Sequence, residues 1–249
     1  MDYKINSPLD NRVFVETEAY LKLKGVLDNL RDSRGNIIHV IGTPGTGKST
    51  NIYRAIDELG LRVYDVECNL KDLSATPREV FNTIIEDIKD DLDARDNREA
   101  YRRLSSFDAV LFADRFHDSH LLGDDVHGFS EWTLKSRKTP YFYLLCIREY
   151  LKYMGEFKHL NIIFQTAWRL KIGKRKYDIF TDIPILSRML SKILGMIFTV
   201  VKIEYTPKET MKIIKAHLNL EEEKIKKYIR VYGCRPRYIL DRLGGDSNP

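Results

Sequence analysis

Cysteine is scarce in this chain, glutamine is nearly absent, and long apolar runs are missing. The three cysteines, Cys68, Cys146 and Cys234, lie far apart in a sequence of 249 residues. That spacing excludes a disulfide framework and a zinc ladder, and it fits a reducing, cytoplasmic interior. No stretch of about 18 apolar residues occurs, which argues against a spanning helix, and no membrane partner is expected. Met1 to Ser7 has no apolar core, so no secretory signal is read there. No internal repeat and no low-complexity tract is found. Glutamine occurs once, at Gln165.

What is present is the composition of a folded domain. Apolar residues make up 43% and charged residues 31%, and 41 basic against 36 acidic side chains leave a net charge of +5. Such a chain is too apolar to be disordered. Its length allows one large domain, or one domain with a small appendage. Strand and helix periodicities alternate along it. Asn36 to Ile41, Leu61 to Val66, Ala109 to Ala113, Asn161 to Phe164 and Thr199 to Ile203 read as strands. Val15 to Leu30, Ser49 to Leu59, Thr76 to Ile88 and Tyr141 to Met154 read as helices. Thr76-Pro77-Arg78-Glu79 supplies an N-cap hydroxyl, a first-turn proline and a glutamate three residues after the cap. Residues 86 to 103, with seven acids and five bases, read as a solvated helix face and connector. Alternation of this kind implies a parallel sheet covered on both faces. After Thr206 only helices are expected: Pro207 to Leu218, Glu221 to Val231 and Pro236 to Leu243.

The strongest motif is Gly42-Thr43-Pro44-Gly45-Thr46-Gly47-Lys48-Ser49, a full match to G-x-x-x-x-G-K-[ST] that follows a strand and opens a helix. Its glycines let the backbone wrap an anion, so that successive N–H groups and the helix N-terminus, through Thr50, point at phosphates. ATP or ADP is the expected ligand, with Lys48 between the β and γ phosphates of ATP and the Ser49 hydroxyl on Mg²⁺. A second strand must end in a carboxylate to complete the metal site. Val110-Leu111-Phe112-Ala113-Asp114 does so, 66 positions after Lys48, which makes Asp114 the expected second metal residue. The next position is Arg115, which stays protonated and cannot serve as a base. Asp118 or His117, just beyond, is expected to substitute.

With these motifs in place the chain resembles an AAA+ ATPase over nearly its whole length. Phe14-Val15-Glu16-Thr17-Glu18-Ala19-Tyr20-Leu21 is similar to the family's F-V-G-R-E-x-x-L opening segment, which implies that Val13, Phe14 and Val15 lie against adenine. Glu16 and Thr17 depart from that pattern. Asn161-Ile162-Ile163-Phe164-Gln165-Thr166 resembles the sensor 1 strand, so Gln165 or Thr166 is implied to contact the γ-phosphate or the water. Ile185-Leu186-Ser187-Arg188 resembles the arginine-finger segment of initiators and clamp loaders, which implies that Arg188 reaches a nucleotide in a neighbouring subunit. Tyr232-Gly233-Cys234-Arg235-Pro236-Arg237-Tyr238 resembles sensor 2 with one extra residue, and implies that Arg237, or else Arg235, faces the nucleotide. The family's fold is then expected: a P-loop NTPase αβα sandwich around a parallel five-stranded sheet. Residues 1–205 would form this core, 206–245 a small C-terminal helical lid, and 246–249 a disordered tail.

Within the family the segment around Ser187-Arg188 looks most like the initiator and helicase-loader group, the origin-recognition ATPases, DnaA and DnaC. Residues 68 to 75 leave little room for the extra helix that initiators insert, and no winged-helix or helix-turn-helix pattern follows the last helix. Nucleotide-dependent self-association is implied, with DNA or a replication protein as partner. Arg169, Lys171, Lys174, Arg175 and Lys176 form a basic cluster, read as a loop around Gly173, that suits a phosphate backbone. Asp114, His117, Asp118, His120, Asp124, Asp125 and His127 crowd one stretch, but their spacing matches no standard zinc pattern and they read as a polar loop. That irregular stretch is expected to run on through Trp132 to Thr139 and to serve a partner or substrate. Two functions follow: a nucleotide-switched ATPase in DNA replication, or an ATP-binding module that hardly hydrolyses and works through a protein partner.

Overall fold

The computed structural model describes residues 13–43, 45–66, 76–112, 131–133, 138–166, 169–172, 175–178, 189, 192 and 194–245. The elements in chain order are α1 (Glu18–Asp28), β1 (Ile37–Ile41), α2 (Lys48–Leu59), β2 (Val63–Asp65), α3 (Pro77–Asp91), α4 (Asn97–Leu104), β3 (Ala109–Phe112) and β4 (Glu131–Thr133). Then come α5 (Lys138–Lys152), α6 (Met154–Phe157), β5 (Ile162–Thr166), β6 (Arg169–Ile172), β7 (Arg175–Asp178) and β8 (Thr199–Lys202). Three helices close the described chain, α7 (Pro207–His217), α8 (Glu222–Tyr232) and α9 (Pro236–Gly245).

Five of the strands form an all-parallel sheet in the order β2-β3-β5-β1-β8. The strands read as unbroken apolar runs because both faces are covered. Side chains alternate across the sheet, so neighbours serve opposite cores. Leu111, Ile163, Ile38, Val40 and Val201 pack with Tyr20, Leu23 and Leu27 of α1 and with Ile52 and Ile56 of α2. Val110 and Ile162 pack on the other side with Val80, Ile84 and Ile88 of α3, Tyr101 and Leu104 of α4, and Phe142 of α5. The last three helices have a small core of their own, Ile214, Ile225, Ile239 and Leu243.

Helix starts follow local chemistry. Thr76 and Thr206 each head a Thr-Pro-x-Glu segment, and both form a complete capping box with the glutamate at the third helical position. Thr17 caps α1 by accepting from the Tyr20 N–H at 3.2 Å. Glu58 of α2 then clamps α1, accepting from the Tyr20 hydroxyl at 2.6 Å and from Lys24 Nζ at 2.7 Å. The Lys24 ammonium first, then the Tyr20 hydroxyl, hold the Glu58 carboxyl down at about 2.

Three regions differ from the sequence reading. Residues 86 to 103 are more than a solvated helix face and connector: they contain the end of α3 and all but the last residue of α4, a helix that buries Ala100, Tyr101 and Leu104. Its eight residues have charges on the outer face, which mask the apolar spacing. The basic cluster is not a loop. Arg169–Ile172 and Arg175–Asp178 are antiparallel strands that pair Lys171 with Lys176 and Ile172 with Arg175, and β4 joins them in a second, three-stranded sheet. The run of cations around Gly173 reads as a loop and outweighs the short alternation Arg169-Leu170-Lys171-Ile172, which is the one strand signal of this hairpin. Of the stretch Trp132 to Thr139, Trp132 and Thr133 belong to β4, Lys138 and Thr139 open α5, and 134–137 lie outside the described residues.

Asn161 ties the bottom of the sheet together. Its Nδ2 donates to the carbonyls of Leu30, Ser33 and Asp108 at 2.8–2.9 Å, and its Oδ1 accepts from the Asn36 N–H and side-chain amide at 3.1 and 2.9 Å. Replacing Asn161 by Ala leaves several of these buried groups without partners, and a loss of about 3 kcal/mol is expected in urea denaturation.

His39 on β1 lies between Phe164 and Phe198, with ring centroids 5.1 and 5.0 Å away. Burial lowers its pKa from 6.5 to about 4, so the folded protein keeps the ring neutral. The unfolded chain takes up that proton at a higher pH than the folded one. Stability is therefore complete above pH 6.5 and falls as the pH drops from 6.5 towards 4. His39→Phe is expected to flatten that part of a stability–pH profile.

Candidate functional site

The site forms where β1 ends and the chain turns into α2. At Gly42 a Cβ would stand 2.5 Å from the Ile203 carbonyl oxygen, so the loop leaves the sheet against the backbone that follows β8. Gly47 is the N-cap of α2, with φ 74°, and no side chain caps this helix. Its first-turn N–H groups therefore remain available to an anion, at the positive end of the helix dipole. Thr46 tightens the loop, its hydroxyl donating to the Thr43 carbonyl at 2.8 Å. Lys48 is 4% exposed, and its Nζ donates to the carbonyls of Gly42 at 3.0 Å and Thr43 at 3.4 Å. The ammonium is thus held inside the curl of the loop. Thr50 follows in the first turn of α2.

β5 brings the second component. Ile41 is in register with Thr166, and Val40 with Gln165, so β5 ends beside the start of the loop. Gln165 is 3% exposed, and its Nε2 donates to the Ser49 hydroxyl oxygen at 3.0 Å. Its Oε1 is buried with no hydrogen-bond partner. A buried amide oxygen of this kind lacks a donor, such as a water held by a metal or a phosphate. The Ser49 hydroxyl keeps its own proton and a lone pair. Together with uncapped N–H groups and a buried ammonium, these residues fit a polyphosphate and a hard divalent cation.

Two groups absent from the sequence reading also belong here. Asn51 Nδ2 donates to the Gly47 carbonyl at 2.7 Å and to the Tyr205 hydroxyl at 2.8 Å. Burial chiefly pushes the Tyr205 phenol up to about 12, and its hydrogen bonds with Asn51 and Thr17 act in the opposite direction. The ring stays neutral and links the loop to the start of α1. A polar residue on the buried face of the motif's helix, three positions after Lys48, was the available signal for Asn51.

The last helices meet the loop directly. At the start of α9 the Arg237 N–H donates to the Gly45 carbonyl at 3.1 Å. The Tyr238 ring lies over Gly45, 3.2 Å from where a Cβ would be. Phe14 lies edge-on to Tyr20 at 4.7 Å, with the Arg54 guanidinium 5.5 Å above its ring. Val15 is half-buried beside it and Val13 is exposed. The structure therefore gathers Thr43, Gly45, Thr46, Gly47, Lys48, Ser49, Gln165 and the backbone of Thr166 and Arg237, and places Phe14 on the α1–α2 core. Pro44, Asp114, Arg115, His117, Asp118 and Arg188 lie outside the described residues, as do residues 67–75 and the tail 246–249.

Residues 31–131, which hold the loop, α2 and three strands of the main sheet, match the AAA domain family. With the strand order above, this is the P-loop AAA fold. Among solved structures the chain is similar to the DnaC helicase loader, at 14% identity over 80% of this chain and 98% of that one, with a TM-score of 0.37. It is also similar to AMPPCP-bound DnaA from Aquifex aeolicus, at 20% identity over 93% of this chain and 66% of that one, with a TM-score of 0.37. At these values neither likeness bears on function. No curated protein sequence matches.

The tight approach at Gly42 gives a direct test. Gly42→Ala forces the loop away from the Ile203 carbonyl, because that neighbour is backbone and cannot swing aside. A loss of about 2 kcal/mol in denaturant unfolding is expected, while the same change at Gly25, which has open space around it, is expected to be tolerated.

Proposed function

We propose that this chain, which carries a P-loop AAA domain, binds ATP and ADP with Mg²⁺ and acts as a nucleotide-switched ATPase in DNA replication, in the manner of an initiator or helicase loader. The observation that carries the nucleotide site is the part-buried hydrogen bond from Gln165 to Ser49, which joins the loop's hydroxyl to the end of β5 and leaves one buried amide oxygen to accept. Loop N–H groups through Thr50 hold the phosphates, and Lys48 supplies its charge from within the curl. Ser49 and Asp114 hold the cation. When bound, Mg²⁺ neutralises charge on the phosphate oxygens. Gln165 or Thr166 orients the attacking water, and Asp118 or His117 accepts its proton. Val13, Phe14 and Val15 flank the base.

Residues 206–245 act as a lid on a core of residues 1–205. Support comes from the contacts of Arg237 and Tyr238 with Gly45, and from Glu209 of α7, whose carboxylate accepts from the Glu18 N–H at 3.2 Å. A shift of the loop on nucleotide exchange would pass into all three helices. Arg237 contributes charge in the same chain and Arg188 from a neighbouring subunit, so assembly follows the nucleotide. The replication setting rests on the order of the sequence motifs and on the basic positions of the β6–β7 hairpin. Arg115, beside Asp114, favours a second reading, in which the chain binds ATP tightly, hardly turns it over and acts through a protein partner.

Calorimetry on nucleotide-stripped protein with magnesium is expected to register ATP and ADP binding that Lys48→Ala weakens at least about tenfold. Absence of heat in the folded wild type overturns the proposal. Gln165→Ala is expected to leave binding within a few-fold and to lower turnover by about 10²-fold. Turnover stimulated by DNA supports the replication ATPase; tight binding without turnover supports the second reading.

A further inference from the structure

Away from the loop, α5 presents an apolar stripe to solvent. Leu144, Ile147 and Leu151 recur at helical spacing, and Met154 continues the row at the start of α6; they are 60%, 54%, 63% and 54% exposed. The opposite face of α5 is buried through Phe142, Leu145 and Glu149. The stripe spans about three helical turns, roughly 15 Å. Exposed cations border it on one side, Arg148 and Lys152. On that same side lies a cavity of about 290 Å³ between α3 and α5, lined by Arg78, Phe81, Asn82, Leu145, Arg148 and Glu149. Arg78 is oriented by a hydrogen bond to the Tyr141 hydroxyl at 2.9 Å. The one carboxylate in the cavity, Glu149, is engaged from within, accepting from Asn97 at 2.7 Å and from the Tyr101 hydroxyl at 2.9 Å. Two guanidinium groups against this single carboxylate leave the lining with an excess of positive charge.

We propose that this surface docks an amphipathic helix of a protein partner, with an apolar stripe laid along Leu144, Ile147 and Leu151 and acidic side chains on the flank that meets Arg148, Lys152 and Arg78. A row of apolar side chains at 3.6-residue spacing matches another helix. The charge on its border selects a partner of opposite sign and sets the direction of docking. A second copy of this chain is a poorer occupant. In the antiparallel two-fold pairing of α5 with itself, Arg148 and Lys152 would confront their own copies. A flat anionic bilayer is also a poorer occupant, because it cannot fill the cavity, and the exposed acids Glu86, Asp90 and Asp91 on α3 would meet it.

The test uses the full chain and two labelled synthetic helical peptides of one length. Both carry leucines at i, i+3, i+7 and i+10; glutamates flank the stripe in one and lysines in the other. In fluorescence anisotropy the acidic peptide is expected to bind at least about tenfold more tightly than the basic one. Leu151→Asp is expected to abolish that binding. Arg148→Glu with Lys152→Glu is expected to reverse the preference, which mere unfolding would not do. Equal affinity for both peptides, no binding of either, or unchanged binding to Leu151→Asp overturns the proposal. So does a wild-type dimer, or wild-type binding to phosphatidylserine vesicles, that Leu151→Asp abolishes, since each assigns the face to another occupant.

Discussion

β1 is hydrogen-bonded along both of its edges, to β5 and to β8, and the candidate site depends on where its last residue stops. Ile41 is in register with Thr166 on one side and Lys202 on the other, and the Ile203 N–H donates to its carbonyl at 2.8 Å. A strand in the middle of a parallel sheet cannot slip by one residue without turning its apolar side chains to the wrong core. The loop therefore leaves from a fixed point, and Gly42 allows it to leave against the backbone beside it. Ser49 then arrives within hydrogen-bond distance of Gln165 because two neighbouring strands end at the same height.

Around that point the polar groups form one connected system. Gly47 is joined to Asn51, Asn51 to Tyr205, and Tyr205 to Thr17, the cap of α1. Gly45 is joined to the first turn of α9, and Glu209 of α7 to the first turn of α1. The half-buried groups around Asn51 and Tyr205 are costly when left without partners, so their bonds tend to persist or to exchange together. The C-terminal helices thus touch the loop through its own carbonyl and the start of α1 through a shared cap, although their apolar core is separate. α5 stands apart from this system, with one face committed to the sheet and one to solvent.

The main sheet was legible because its strands are short apolar runs, and two helix starts carry a capping box: Thr76-Pro77 and Thr206-Pro207 could be placed to the residue. The hairpin of β6 and β7 was not read, since Gly173 and five charges among its eight strand residues outweigh the short alternation of Leu170 and Ile172. α4 was hidden in the same way, by charges that share a short helix with Tyr101 and Leu104.

The chain's own order of residues determined the loop from Gly42 to Ser49, the strand before it and the helix after it, because glycine, lysine and hydroxyl at fixed spacing are local chemistry. It also marked Gln165 as a polar residue at a strand end. Only the tertiary structure decided that Gln165 meets Ser49 and that Asn51 and Tyr205 stand behind the loop. The same holds for Asn161, which closes the far end of the sheet, and for Leu144 and Leu151, which face outward. The physical reason is distance along the chain. Gln165 and Ser49 are 116 positions apart, and Asn51 and Tyr205 are 154 apart. Such pairs exist only once strand order and register bring them together.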